Sequence, residues 1–111
     1  MTPVETVQYY FAQWDTKNAA AMNGVVTSRM RSNNGLGNLK YVMLKKCDQR
    51  GIPGPDSDNP DIYQTAYVDV EFHMELKNDF SGPPSSNFTW TYTLEKATPT
   101  SNWMISNWGS G

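Results

Sequence analysis

The sequence AYVDVEFHMEL, residues 66–76, contains the clearest strand pattern in the chain, because apolar and polar side chains alternate through it without a break. A period of two is typical of a β-strand with one buried and one solvated face, so we predict a strand within residues 62–76. Residues 88–95 repeat the pattern with bulkier side chains. The apolar members there are Phe88, Trp90, Tyr92 and Leu94. Together the two stretches predict an antiparallel sheet that is covered on one side.

Towards the N-terminus the pattern changes to that of a helix. Thr2-Pro3-Val4-Glu5 has the spacing of a capping box, with proline at the first helical position. Apolar side chains then recur at three- and four-residue spacing. They are Val4, Val7, Phe11 and Trp14, with Tyr10 widening the stripe. Asn18 is predicted to cap a second, shorter helix that begins at Ala19 and ends within residues 26–30.

Two further strands flank the central pair. Residues 39–47 are rich in Tyr, Val and Leu, and residues 103–108 form the last predicted strand. Residues 48–60 are predicted to be a long loop, since their glycines and prolines suit neither a helix nor an inner strand. Residues 31–38 and 78–84 are the other predicted loops, because Ser, Asn, Gly and Pro favour turns.

Trp108 does not fit the alternation of the last strand. A strict period of two places it on the face opposite Trp103 and Ile105. Either a β-bulge turns Trp108 inward, or its ring is exposed as a contact residue. The sequence leaves both alternatives open.

The order of elements predicts an α+β fold in which N-terminal helices pack on a curved antiparallel β-sheet. No repeat or linker divides the chain, so residues 1–111 are predicted to form a single domain. Long strands that carry large aromatic side chains tend to curl around a helix, which leaves a concavity between helix and sheet. The expected shape is a cone with room for a pocket.

Composition excludes several classes of function. Nine Lys and Arg against eleven Asp and Glu give a net charge of −2, and the sparse basic residues predict no nucleic-acid partner. No apolar run is long enough to predict a transmembrane segment. The single cysteine, Cys47, excludes an intramolecular disulfide and is predicted to be an inert strand residue. Residues 56–61 resemble a calcium loop only at their start, so we predict no metal site and no cofactor.

Both ends of the chain carry the motifs of a known superfamily. Thr2-Pro3-x-Glu5-Thr6-Val7 is followed by Tyr10-Phe11, Trp14, Lys17-Asn18 and Met22, and the chain ends in Trp103-x-Ile105-x-x-Trp108-Gly109-x-Gly111. The opening resembles the nuclear-transport-factor-two-like superfamily, which has a cystatin-like cone fold. The ending is similar to a branch of uncharacterised bacterial domains that are often secreted or lipid-anchored. The resemblance implies an extracellular or membrane-anchored protein whose anchor precedes Thr2, and a cytoplasmic location is the alternative.

Enzymes of that superfamily, such as isomerases and dehydratases, perform acid–base chemistry inside the cone. Suitable residue types occur together only on the polar face of the strand at 66–76, where the helix stripe does not cover them. They are Tyr67, Asp69, Glu71, His73 and Glu75. We interpret this face as solvated and predict no catalytic residue.

The cone interior supplies the candidate ligand contacts. These are Tyr10, Trp14, Phe72, Trp90, Tyr92 and Trp103, which could line a cavity or fill the core. The sequence thus favours a non-enzymatic binding or scaffolding domain at the bacterial cell envelope, with a small apolar molecule or another protein as partner. A homodimer through the sheet face is a further expectation, and a small-molecule isomerase or dehydratase is the alternative function.

Overall fold

The fold is α+β, as the sequence predicts. A computed structural model describes residues 1–30, 39–55, 60–77 and 85–110. Two N-terminal helices precede a four-stranded open antiparallel sheet of order β1-β2-β3-β4. The helices are α1 (Pro3–Asp15) and α2 (Ala19–Asn23), and the strands are β1 (Leu39–Gly54), β2 (Gln64–Leu76), β3 (Ser85–Lys96) and β4 (Met104–Ser110). The predicted loops at 31–38 and 78–84 lie outside the described residues.

The predicted start of α1 is confirmed in atomic detail. The Glu5 amide donates to Thr2 Oγ1 at 3.1 Å, and the Thr2 amide donates to Glu5 Oε1 at 2.8 Å, which completes the capping box. The other end of α1 is held to the sheet, because Asp15 Oδ1 accepts from the Val42 amide at 3.1 Å. The capping box therefore fixes where α1 begins, and the bond between Asp15 and Val42 ties its other end to β1.

The sheet has two chemically distinct faces. We call the face against α1 the inner face, and its fully buried members include Val68, Val70, Phe72, Tyr92 and Leu94. The opposite face, the outer face, carries the polar alternates of the same strands. Its members on β2 are Tyr67, Asp69, Glu71, His73 and Glu75. The predicted assignment of these five residues to the face away from the helix is thus confirmed.

The predicted loop at 48–60 is wrong for its first half. Residues 48–54 continue β1 and pair with β2, with Asp48 opposite Asp69 and Arg50 opposite Tyr67. β1 lies at the edge of the sheet, so the missing amide hydrogen of Pro53 need not break a hydrogen bond to a neighbouring strand. The register shift between Arg50 and Gly54 accommodates the residues that do not pair regularly. Residues 56–59, which contain most of the calcium-like motif, lie outside the described residues.

The second helix is shorter than predicted, because the residues after it form hydrogen bonds with the edge strand β4. α2 ends at Asn23, and a 3₁₀ turn follows only at Ser28–Met30. Between them the Ile105 amide donates to the Val25 carbonyl at 2.8 Å, and the Thr27 amide donates to the Ile105 carbonyl at 2.9 Å. This parallel bridge covers part of the β4 edge.

A β-bulge decides the orientation of Trp108. β3 pairs Leu94 with Ile105 and Thr93 with Asn107, so Ser106 is an extra residue in β4. Ile105 and Ser106 are consequently both buried, and the parity of every later residue is reversed. The Trp108 ring lies 6.0 Å from that of Tyr10 and 5.8 Å from that of Tyr92. Of the two alternatives that the sequence left open, the bulge is the one observed.

Candidate functional site

Five of the six aromatic residues predicted to contact a ligand pack against one another where α1 meets the inner face. Ring centroids are 6.0 Å apart for Tyr10 and Tyr92, 5.8 Å for Trp14 and Phe72, and 5.1 Å for Phe72 and Trp90. Trp103 is buried away from these contacts, with the Lys96 ammonium 5.8 Å from its ring. Five of the six predicted residues are buried and Trp90 is partly buried, so their side chains fill core space. A role in ligand binding stays a prediction.

One atom of this cluster is unsatisfied. The indole nitrogen of Trp14 is buried and has no hydrogen-bond partner in the described part of the chain. A buried donor without an acceptor costs about 1–3 kcal/mol, and an acceptor on a bound molecule would recover that free energy. The missing partner of this nitrogen is the strongest observation in favour of a ligand inside the fold.

Two polar networks lie on the outer face instead. In the first, which we call the His73 network, His73 Nδ1 lies 2.9 Å from Asn87 Oδ1 and His73 Nε2 lies 3.3 Å from Glu75 Oε2. The Tyr41 hydroxyl donates a short hydrogen bond to the same carboxylate, and Lys45 Nζ donates to Asn87 Oδ1 at 3.3 Å. β1, β2 and β3 each contribute to this network, which the sequence alone did not bring together.

The electrostatics of the His73 network do not suit proton abstraction. Hydrogen bonds from Tyr41 and then from His73 lower the pKa of Glu75, and the same carboxylate raises the pKa of the Tyr41 hydroxyl. General base catalysis requires a group whose pKa is raised towards the working pH, in a site that excludes water. Glu75 has the opposite shift and lies on the outer face, where the bonds from Tyr41 and His73 stabilise its charged form.

The second network, which we call the Arg50 network, is a bidentate ion pair. Arg50 Nε and Nη2 donate to the two carboxylate oxygens of Asp69 at 3.0 and 2.7 Å. Thr91 donates its hydroxyl to Asp69 Oδ1 at 2.8 Å. The hydrogen bonds from Arg50 make the largest contribution to the lowered pKa of Asp69. This network was not predictable from the sequence, because Arg50 falls in the predicted loop at 48–60. Only the strand register brings Arg50 opposite Tyr67.

A shallow concavity adjoins the Arg50 network on the outer face. Its volume is about 320 Å³, and its lining residues are Arg50, Tyr67, Thr91, Thr93, Asn107, Trp108 and Gly109. Strand pairing explains the arrangement, because Arg50, Tyr67, Thr93 and Asn107 form one row across all four strands. Thr91 and Gly109 pair in the next row, and the missing side chain at Gly109 leaves space there. The concavity therefore depends on the register that the β4 bulge sets.

Cys47 is a strand residue of β1, as predicted, and its chemistry is unreactive. Burial, with a smaller contribution from Asp48, raises the pKa of the thiol to about 11. Only the thiolate reacts quickly, so we expect alkylation by iodoacetamide near pH 8 to be about 100-fold slower in the folded chain than in urea. Mass spectrometry of timed samples measures both rates. Equal rates would show that the native thiol is accessible and ionised.

The lowered pKa values of Asp69 and Glu75 predict acid sensitivity. Their ordinary values are 3.8 and 4.5. In the folded state both carboxyls stay charged at a lower pH than in the unfolded chain. Their contribution to stability is therefore complete above the ordinary pKa values and is lost as the pH falls through the lowered pKa values of the folded state. We expect urea midpoints to fall steadily below about pH 4.5. In the double variant Asp69→Asn, Glu75→Gln the urea midpoint should fall less steeply at acid pH than in the unchanged chain. An equally steep fall would contradict the assignment of these two carboxyls.

Within the described ranges, no three His, Cys, Asp or Glu side chains come together in a way that could hold a metal ion. Among the same residues, no helix is long and apolar enough to span a bilayer. Fold and site together define an α+β domain with a helix-covered aromatic core and a polar concavity on its open sheet face. Comparisons of the chain with protein-family models, with curated proteins and with solved structures find no match.

Proposed function

We propose that the chain is a non-enzymatic binding domain of the nuclear-transport-factor-two-like, cone-shaped kind, and that it binds its partner on the outer face of the sheet. The observation that carries this proposal is the concavity beside the Arg50 network. In it a cation, an exposed aromatic ring and side-chain hydroxyls line one hollow. Sites that bind by recognition need convergent polar groups on a rigid scaffold, and sheet strands provide one.

The packing of the inner face supports the same proposal. Its aromatic side chains are packed against each other and against α1, so the space that a cone enzyme would use holds the chain's own rings. The acid and base groups of β2 face away from that space. The family relationship and the location at the bacterial cell envelope rest on the sequence resemblance, and both are part of the proposal.

A small-molecule enzyme with its pocket between α1 and the sheet is the second candidate. The unpartnered Trp14 indole favours it, since a substrate oxygen could accept from that nitrogen. The two candidates differ in where a ligand would contact the fold, and this difference is measurable.

The test is a chemical-shift map of the ¹⁵N-labelled chain. We would titrate it with neutral hexasaccharides, with a tri-glutamate peptide and with decanoate, which represent polar, acidic and apolar ligands. The proposal expects at least one probe to shift the backbone amides of Tyr67, Thr93 and Gly109 while the Trp14 indole signal stays in place. Shifts confined to the Trp14 indole and its neighbours would overturn the proposal in favour of the enzyme, and no shift on the outer face with any probe would also overturn it.

A further inference from the structure

The hydrogen-bonding capacity of the concavity defines the class of ligand. Arg50 uses Nε and Nη2 on Asp69, and its Nη1 has no partner among the described residues. Asn107 Oδ1 accepts from the Trp108 amide at 2.9 Å, which leaves the amide nitrogen of its side chain free in the described structure. The hydroxyls of Tyr67 and Thr93 likewise have no partner there. The hollow offers both donors and hydroxyls that can donate or accept.

The charge around the concavity disfavours an anion. Arg50 is the only charged residue among those that line it, and Asp69 already neutralises the guanidinium. Asp48 lies opposite Asp69 in the adjoining row, and Glu95 follows Thr93 on the outer face of β3. An anionic ligand would therefore meet a cation that is already paired, and the carboxylates in the two neighbouring rows add negative charge that disfavours it.

Tyr67 supplies the apolar part of the site. Its side chain is 45% exposed although it lies in the middle of the sheet, flanked by Arg50 on β1 and Thr93 on β3. A flat ring beside fixed polar groups can pack against the C–H face of a sugar ring while the sugar hydroxyls bond the neighbouring side chains. A purely apolar molecule would leave those polar groups without partners, at a cost in free energy.

We propose that the concavity binds a neutral carbohydrate, with the sugar ring on Tyr67 and its hydroxyls bonded to Arg50, Thr93 and Asn107. This inference rests on the proposed function, since it names the ligand of the same outer face. Bidentate pairing with Asp69 holds the Arg50 guanidinium in one plane before the ligand arrives, so less side-chain entropy is lost on binding.

The experiment is a titration of the full chain with cellohexaose, maltohexaose and chitohexaose, and with hexagalacturonate as the acidic counterpart. Calorimetry measures the Kd, and the shift map locates the site. We expect at least one neutral hexasaccharide to bind on the outer face and to bind about tenfold or more tightly than hexagalacturonate.

Matched variants connect binding to the concavity. Tyr67→Ala removes the ring, and Tyr63→Ala is its control because Tyr63 is equally exposed, at 46%, but lies outside the hollow. Gly109→Val fills the hollow, and Gly54→Val is its control, since a Cβ at either glycine meets no atom within 4 Å. We expect Tyr67→Ala and Gly109→Val to raise the Kd by about tenfold or more, and the two controls to change the Kd by less than about twofold.

The possible failures are distinct. Outer-face shifts with tri-glutamate or hexagalacturonate but with no neutral hexasaccharide would overturn the carbohydrate proposal and leave the proposed function standing. Neutral binding that Tyr67→Ala and Gly109→Val leave unchanged would overturn the assignment to this concavity. An outer face that no probe shifts would overturn both proposals. Circular dichroism of each variant shows whether it is folded, and Thr93→Val with Thr89→Val as control repeats the test if a variant does not fold.

Discussion

Phe72→Ala is expected to lower the free energy of unfolding by about 3–5 kcal/mol. Phe72 is fully buried at the centre of the inner face. Its ring lies 5.0 Å from that of Phe11 on α1, 5.8 Å from that of Trp14 and 5.1 Å from that of Trp90. Truncation would remove apolar area from the core and leave a cavity between helix and sheet that these rigid rings cannot close.

Urea denaturation followed by tryptophan fluorescence measures the effect. Phe88→Ala is the matched control, because Phe88 stacks on Phe72 at 5.2 Å but is only partly buried, so its loss should be clearly smaller. Phe72→Leu retains most of the volume and should recover much of the stability, which keeps the test informative if Phe72→Ala does not fold. Equal losses for Phe72→Ala and Phe88→Ala would contradict the position of the core.

The parts of the fold that follow from local periodicity were predictable from the sequence. The alternation at 66–76 assigned every side chain of that strand to its correct face, because a period of two leaves no freedom once one face is buried. The start of α1 was equally clear, since Thr2 and Glu5 satisfy each other's amides within one turn.

The parts that depend on long-range pairing were not predictable. Nothing near Pro53 in the sequence tells an edge strand from a loop, since that distinction depends on which strands flank β1 in the folded sheet. The Arg50 network joins residues 19 positions apart, and the pairing register has three shifts along β1 and β2. The concavity also needs the β4 bulge. A binding surface built from rows across four strands therefore becomes visible only when all the registers are known.

Trp108→Ala is expected to destabilise the domain by about 2–3 kcal/mol. The bulge at Ser106 turns the indole onto the inner face, where it packs against Tyr10 and Tyr92. The expected loss is smaller than for Phe72→Ala because Trp108 is only partly buried. Without the bulge, Trp108 would extend from the outer face, and its truncation would change stability by no more than about 0.5 kcal/mol.

Asn107→Ala is the control for this prediction, because Asn107 is exposed on the neighbouring position of the same strand. Its loss should stay within about 0.5 kcal/mol, although its side chain accepts from the Trp108 amide. Urea denaturation followed by far-UV circular dichroism suits this pair, since removing Trp108 alters the fluorescence signal itself. If the two variants were equally stable, Trp108 would not be a core residue, and the register that forms the concavity would have to be shifted by one residue along β4.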